Sequence, residues 1–224
     1  MHEQMKLFGQ AMLDYSRGQT GEAFWVNNIQ GERFAYPIER YLRSAAELDS
    51  LEQLVVEQAY GNILDVGCAT GYYIPALMNK GKVIGIDIAE PMIQVARQRG
   101  LTNCVVQDVM TYAPDKLFDT ITYFEYTFGF AGSWDGLIRA FKKTMNLLKP
   151  GGQILGIWEN TDTPEQISQA YFEYKGVKTQ PITWFNLNQA GITSFCQEIG
   201  ECEVTILGQT DDEYAYKIVK SSRF

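Results

Sequence analysis

The chain has 224 residues, 46% hydrophobic and 21% charged, which suits a soluble globular protein with a sizeable core. A formal net charge of −8 argues against a nucleic-acid backbone or an anionic membrane as main partner, since both demand clustered Lys and Arg. The four cysteines (Cys68, Cys104, Cys196, Cys202) form no C-x-x-C pair and read as free thiols, and a lone histidine, His2, excludes His-based triads and His metal sites.

The N-terminal sequence lacks the apolar core of a signal peptide and no run approaches a membrane span, so a cytoplasmic location is the expectation. Residues 1–60 read as a helical cap: an N-terminal segment, an irregular stretch around 21–33, then a long amphipathic run from 37 to about 57. Residues 61–224 read as one further compact unit. Within it, strand-like runs at 62–66, 82–86, 103–106, 119–124 and 153–158 alternate with helical patterns near 71–78, 91–99 and 133–148. Pro91 in a first turn and Gly100 past the end bracket one helix. Ser133 is a candidate N-cap for another, which Pro150-Gly-Gly stops. A helix at 189–199 closes on Gly200, and alternating strands at 203–207 and 214–219 follow. This alternation predicts a doubly wound parallel sheet with helices on both faces and an antiparallel strand at one side.

The first two of these strands each end on an acid, Asp65 and Asp87, 87 − 65 = 22 residues apart. In such sheets ligands bind beyond the carboxyl ends of the strands. That spacing alone also fits a dinucleotide fold, whose ribose-binding acid lies roughly 20 residues past its glycines. The loop separates the two. Gly67-Cys-Ala-Thr-Gly71-Tyr72 puts Ala69 and Tyr72 where a pyrophosphate loop wants glycines. Asp65 would repel a diphosphate but attract an ammonium or sulfonium group.

Asp65-Val-Gly-Cys-Ala-Thr-Gly71 resembles the first motif of class I S-adenosylmethionine-dependent methyltransferases. Further pieces stand in that family's order: Gly85-Ile-Asp-Ile88 with Met92, Gln107-Asp-Val109, Phe118 to Phe124, and Leu148-Lys-Pro-Gly-Gly152. The resemblance implies a Rossmann-like seven-stranded sheet of order 3-2-1-4-5-7-6 with its last strand antiparallel, and S-adenosylmethionine as cofactor. It further implies that Asp65, Gly67, Cys68, Ala69 and Gly71 hold the methionine part and that Asp87 takes the ribose hydroxyls. Ile88 and Met92 would then sandwich the adenine, Asp108 and the Val109 amide would meet its edge, and the backbone near Phe124 would face the sulfonium. Ala69 departs from the family's more usual glycine.

Methyl transfer is an in-line displacement that alignment and water exclusion can drive, so no dedicated catalytic side chain is required. Glu125 and Tyr126 leave the fourth strand where the acceptor belongs and are the candidates for orienting it or taking its proton, although Glu125 also suits a supporting hydrogen-bond role. Family members that make ubiquinone continue with a second acid and a histidine as metal ligands; Phe128 and Gly129 stand there, so no metal is expected. An Asn/Asp-Pro-Pro-Tyr motif is absent, which together with the charge favours a small-molecule acceptor, methylated on N or O, over nucleic acid. Residues 159–187 read as a substrate-facing insertion. With Tyr15, Phe24, Trp25, Phe34 and Tyr36 it forms either a lid over an apolar pocket or a contact burying the N-terminal helices. Tyr171-x-x-x-Lys175 matches a short-chain dehydrogenase dyad, but the upstream serine is missing and the glycine pattern is wrong. A protein that binds S-adenosylmethionine without methylating, regulatory or cyclase-like, is the alternative from another functional class.

Overall fold

A computed structural model of the chain describes residues 2–125 and 127–221. Helix α1 (His2–Ser16) leads into strands β1 (Trp25–Asn28) and β2 (Arg33–Ala35), two 3-10 turns (Ile38–Leu42 and Ala45–Glu47) and α2 (Ser50–Gln58). The alternating part follows as β3 (Gly61–Val66), α3 (Ile74–Met78), β4 (Gly81–Asp87), α4 (Glu90–Gln98), β5 (Cys104–Val106) and β6 (Phe118–Tyr123). A 3-10 turn (Thr127–Ala131), α5 (Trp134–Leu147) and β7 (Leu148–Glu159) come next. Then β8 (Glu165–Tyr174), β9 (Val177–Lys178) and β10 (Ile182–Leu187) precede α6 (Gln189–Ile199), β11 (Cys202–Gln209) and β12 (Glu213–Lys220).

The main sheet runs β5-β4-β3-β6-β7-β12-β11. Counting only its own strands in chain order, this is the expected 3-2-1-4-5-7-6. Every pair from β5 to β7 is parallel, and the last strand, β12, is antiparallel to β7 and to β11. The order in which the chain adds strands reverses between β3 and β6, which opens a crevice above their carboxyl ends. Both faces are apolar, as a buried parallel sheet requires. Ile63 packs with Val55, Leu77 and Ile93 on one face, while Leu64 and Val66 pack with Leu137, Phe141 and Phe195 on the other. Local caps set the helix limits: Ser133 Oγ accepts from Gly136 N at 3.1 Å, Asn188 Oδ1 accepts from Gly191 N at 3.0 Å, and Gly200 ends α6 at φ 72°.

Residues 1–60 depart from an all-helical cap. β1 pairs antiparallel with β2 and with β8, β8 pairs with β10 and β9, and together they form a second, smaller sheet. The stretch expected to be irregular is therefore a hairpin, and part of the 159–187 insertion supplies its partner strands. The amphipathic run from 37 to 57 is broken because two capping boxes follow one another. Ser44 N donates to Glu47 Oε2 at 2.8 Å; Asp49 N donates to Glu52 Oε2 at 2.8 Å while Glu52 N returns a bond to Asp49 Oδ1 at 2.9 Å. Tyr171 and Lys175 share no helix face, since Tyr171 lies in the extended β8 and Lys175 in the turn that follows it, at φ 47°. Lys175 Nζ instead bonds Asp14 Oδ2 at 2.6 Å.

Candidate active site

A cavity of about 710 Å³ opens at the carboxyl ends of the central strands. Its floor holds Gly67, Cys68 and Ala69 after β3, Asp87 and Ile88 at the end of β4, and Phe124 and Glu125 after β6. Phe8, Phe24 and Val26 from the N-terminal region, with Phe172 and Trp184 from the smaller sheet, form the opposite wall.

The loop after β3 is tied to the end of β4. Gly67 N and Cys68 N both donate to Ile86 O, at 2.8 and 3.0 Å. Ala69 N donates to Asp87 Oδ2 at 3.0 Å, and Ala89 N to Asp87 Oδ1 at 2.8 Å. Gly67 lies at φ 73°, and a Cβ there would come within 2.5 Å of Thr127 Cγ2. Ala69 also has a positive φ, 47°, a conformation that costs a side-chain-bearing residue on the order of 1–2 kcal/mol. Its amide is thereby aimed at Asp87. Cys68 turns its thiol towards Gly85, where a Cβ would approach Sγ to 2.8 Å.

Asp65 and Gly71 do not line the cavity. Gly71, at φ 76°, lets the loop close on Leu101, whose Cδ1 would be 2.5 Å from an added Cβ. Asp65 lies within β3, behind the loop, and is 1% exposed. Thr122 Oγ1 donates to its Oδ1 at 2.7 Å, while Oδ2 is buried without a hydrogen-bond partner among the described residues. Burial pushes the Asp65 carboxyl up to about 7, against the pull of Thr122. Burial likewise pushes Asp87 up to about 6, against the backbone amides of Ala89 and Ala69. Among the described residues no cationic side chain contributes to either shift.

Ile88, Met92, Asp108 and Val109 line one end together. Gln107 N donates to Asp87 O at 2.9 Å, which sets this segment beside β4, and Asp108 Oδ1 accepts from Met110 N at 2.8 Å. Arg139 and Ala140 of α5 also line the cavity and were not foreseen; Lys143, one turn on, donates to Tyr112 O at 2.6 Å and holds this helix against the 108–112 segment. Helical spacing of 139, 140 and 143 was the signal available.

Glu125 stands on the cavity wall at φ 51°. Its Oε1 accepts from Arg40 Nη2 at 2.7 Å, Arg40 Nε at 3.1 Å and Tyr72 OH at 3.0 Å. The Tyr73 hydroxyl, with one proton to share, lies 2.7 Å from Glu52 Oε1 and 3.1 Å from Glu125 Oε1. Arg43 Nη2 closes the cluster on Glu52 Oε1 at 2.8 Å. Burial pushes the Glu125 carboxyl up, and Arg40 pulls against it. Tyr73 also stacks on Phe124, ring centres 3.6 Å apart at 14°. Thr70 Oγ1 bonds Tyr41 O, and Arg99 Nη2 donates to Arg43 O at 2.6 Å, so the N-terminal segment is strapped over the loop. Nothing in the local sequence marked Arg40, Arg43 or Glu52 as members of this cluster. Tyr126 lies outside the described residues. Among the described residues no group of three or more His, Cys, Asp or Glu side chains is arranged to hold a metal.

The strand order is that of the Rossmann-like class I methyltransferase fold. Residues 63–152 match the family model described as a methyltransferase domain. A Bacteroides fragilis S-adenosylmethionine-dependent methyltransferase, solved with S-adenosyl-L-homocysteine, superposes with a TM-score of 0.85 at 21% identity, covering 97% of this chain and 96% of that one. A demethylmenaquinone methyltransferase of Symbiobacterium thermophilum is 30% identical over 133 residues, 55% of this chain and 53% of its own length. Human "probable tRNA methyltransferase 9B" is 30% identical over 106 residues, 47% of this chain but 23% of its own length. The chain thus spans about half or less of these curated relatives.

Proposed function

We propose that the chain transfers the methyl group of S-adenosylmethionine to N or O of a small molecule enclosed between the sheet ends and the smaller sheet. The observation that carries this reading is the pair of buried carboxylates, Asp87 on the cavity and Asp65 behind its loop, that no Lys or Arg among the described residues neutralises. A cationic adenosyl ligand fits that field, and a diphosphate does not. When bound, the cofactor supplies an electrophilic methyl on a sulfonium.

The Asp87 carboxylate accepts backbone N–H groups on both oxygens and keeps lone-pair capacity for the ribose hydroxyls. Ile88 and Met92 offer apolar faces to the adenine, with Asp108 and the Val109 amide at its edge. The backbone of Gly67, Cys68 and Ala69 approaches the methionine part, and Gly71 lets that loop close. Asp65 acts through its charge from behind the loop. The Phe124 backbone borders the reacting end, and Glu125 and Tyr126 orient the acceptor. The wall formed by the N-terminal hairpin and residues 159–187 works as a lid that excludes water.

The cavity volume is within the range of about 300–1,000 Å³ usual for small-molecule sites. A net charge of −8 weighs against a tRNA acceptor. No helix among the described residues is long and apolar enough to cross a membrane; a cytoplasmic enzyme is proposed. Incubation with S-adenosylmethionine and fractionated metabolites should release S-adenosylhomocysteine in an acceptor-dependent way. Tight cofactor binding with no turnover across the fractions would favour the non-methylating alternative.

A further inference from the structure

The end of the cavity remote from Asp108 has a distinct chemistry. Its walls are aromatic: Phe130 and Trp184 lie with ring centres 5.4 Å apart, Phe172 and Trp184 5.9 Å, and Phe24 and Phe172 5.2 Å. One carboxylate, Glu159 at the C-terminal end of β7, joins this lining. β7 is the neighbour of β6, and the paired residues Tyr123 and Gly156 set Glu159 beyond the end of β6, on the acceptor side of Phe124 and Glu125.

Glu159 is held by a short relay. Trp158 Nε1, buried, donates to Asn186 Oδ1 at 3.2 Å, which fixes the amide so that Nδ2 donates to Glu159 Oε2 at 2.8 Å. Glu125 has Arg40; Glu159 has no ion-pair partner among the described residues. Glu159 is solvent-exposed at the rim of the cavity; its charged neighbours are Asp212 and Glu213, both acidic, and with partial desolvation they push its carboxyl up. Among the described residues the only basic side chain lining the cavity is Arg139 of α5, and it makes no ion pair with Glu159. An oriented carboxylate with no countercharge, set among aromatic faces, is a receptor for a cation.

Resting on the methyl-transfer reading, we infer that Glu159, oriented by Asn186, selects acceptors carrying an amine on an aromatic or apolar body: the ammonium pairs with the carboxylate and passes it one N–H proton, and the freed nitrogen lone pair forms the N–CH3 bond as the S–CH3 bond breaks and S-adenosylhomocysteine leaves. A neutral alcohol of the same shape leaves the carboxylate without its charge partner. An anionic acceptor meets repulsion from Glu159.

The test is calorimetry on the full chain saturated with S-adenosylhomocysteine, titrated with phenethylamine and tryptamine and with their neutral counterparts 2-phenylethanol and tryptophol. Each amine should bind at least tenfold tighter than its alcohol. Glu159→Gln, which keeps an oxygen for Asn186 Nδ2, should bring that ratio to about one while leaving affinity for S-adenosylhomocysteine unchanged. With S-adenosylhomocysteine bound, equal affinity for amine and alcohol, no binding of either amine, or an unchanged ratio in Glu159→Gln overturns the inference alone. Failure of S-adenosylhomocysteine to bind overturns the methyl-transfer reading and this inference with it.

Discussion

Two pairs of buried carboxylates sit at the same end of this molecule and are neutralised in opposite ways. Glu52 and Glu125 meet Arg40, Arg43 and the hydroxyls of Tyr72 and Tyr73. Among the described residues, Asp65 and Asp87 meet only a threonine hydroxyl and backbone amides, and one oxygen of Asp65 has no hydrogen-bond partner. The first arrangement is complete in itself and fastens the N-terminal segment to the cofactor loop. The second is complete only when something positive or hydroxyl-rich arrives. Uncompensated buried charge is tolerated where a ligand will share it, and it marks a functional site more sharply than charge density does.

That contrast sets the order of expected effects. Glu52 is fully buried, so Glu52→Ala leaves Arg43 and Arg40 facing a hole. Loss of one partner of a buried ion pair costs about 3–5 kcal/mol, and chemical denaturation should show a loss of that size. A change under about 1 kcal/mol would mean the cluster is no latch.

Asp65→Asn removes a charge that the apo protein holds unwillingly, so it should act through pH. The folded carboxyl titrates at about 7 against an ordinary 3.8, so the folded state binds the extra proton between those values. The stability contributed by the protonated group is therefore intact below 3.8 and lost as pH rises through about 7. Between pH 5 and 7 the wild type should lose stability relative to Asp65→Asn on the order of 1.4 kcal/mol per pH unit. Parallel melting-temperature profiles for the two proteins would place the charge elsewhere.

The main sheet was legible because each of its strands is a local apolar run and two of them end on an acid. Asp87 was read from its place at a strand end, and Ile88, Met92, Asp108 and Val109 from the family resemblance; all five line one cavity. Asp65 was legible as an acid but not as a residue of the layer behind the loop, since only the three-dimensional course of β3 separates lining from backing. The smaller sheet was not legible. β1 spans four residues and pairs with β8 through Val26 and Phe172, so its strand state is imposed by distant chain rather than local pattern. The Arg40, Glu52 and Glu125 cluster was hidden for the same reason, as its members come from three separate segments. The break in the 37–57 run, by contrast, was written locally in Ser44-x-x-Glu47 and Asp49-x-x-Glu52 and was overridden by the apparent amphipathic period.

Calorimetric titration of S-adenosylmethionine into the wild type and into Asp87→Ala tests the ligand-completed carboxylate most directly. The wild type should bind, and Asp87→Ala should bind at least about tenfold more weakly, because two charge-assisted ribose contacts and the tie to Ala69 vanish together. Equal affinity in the two proteins, or no binding by the wild type, would contradict the account.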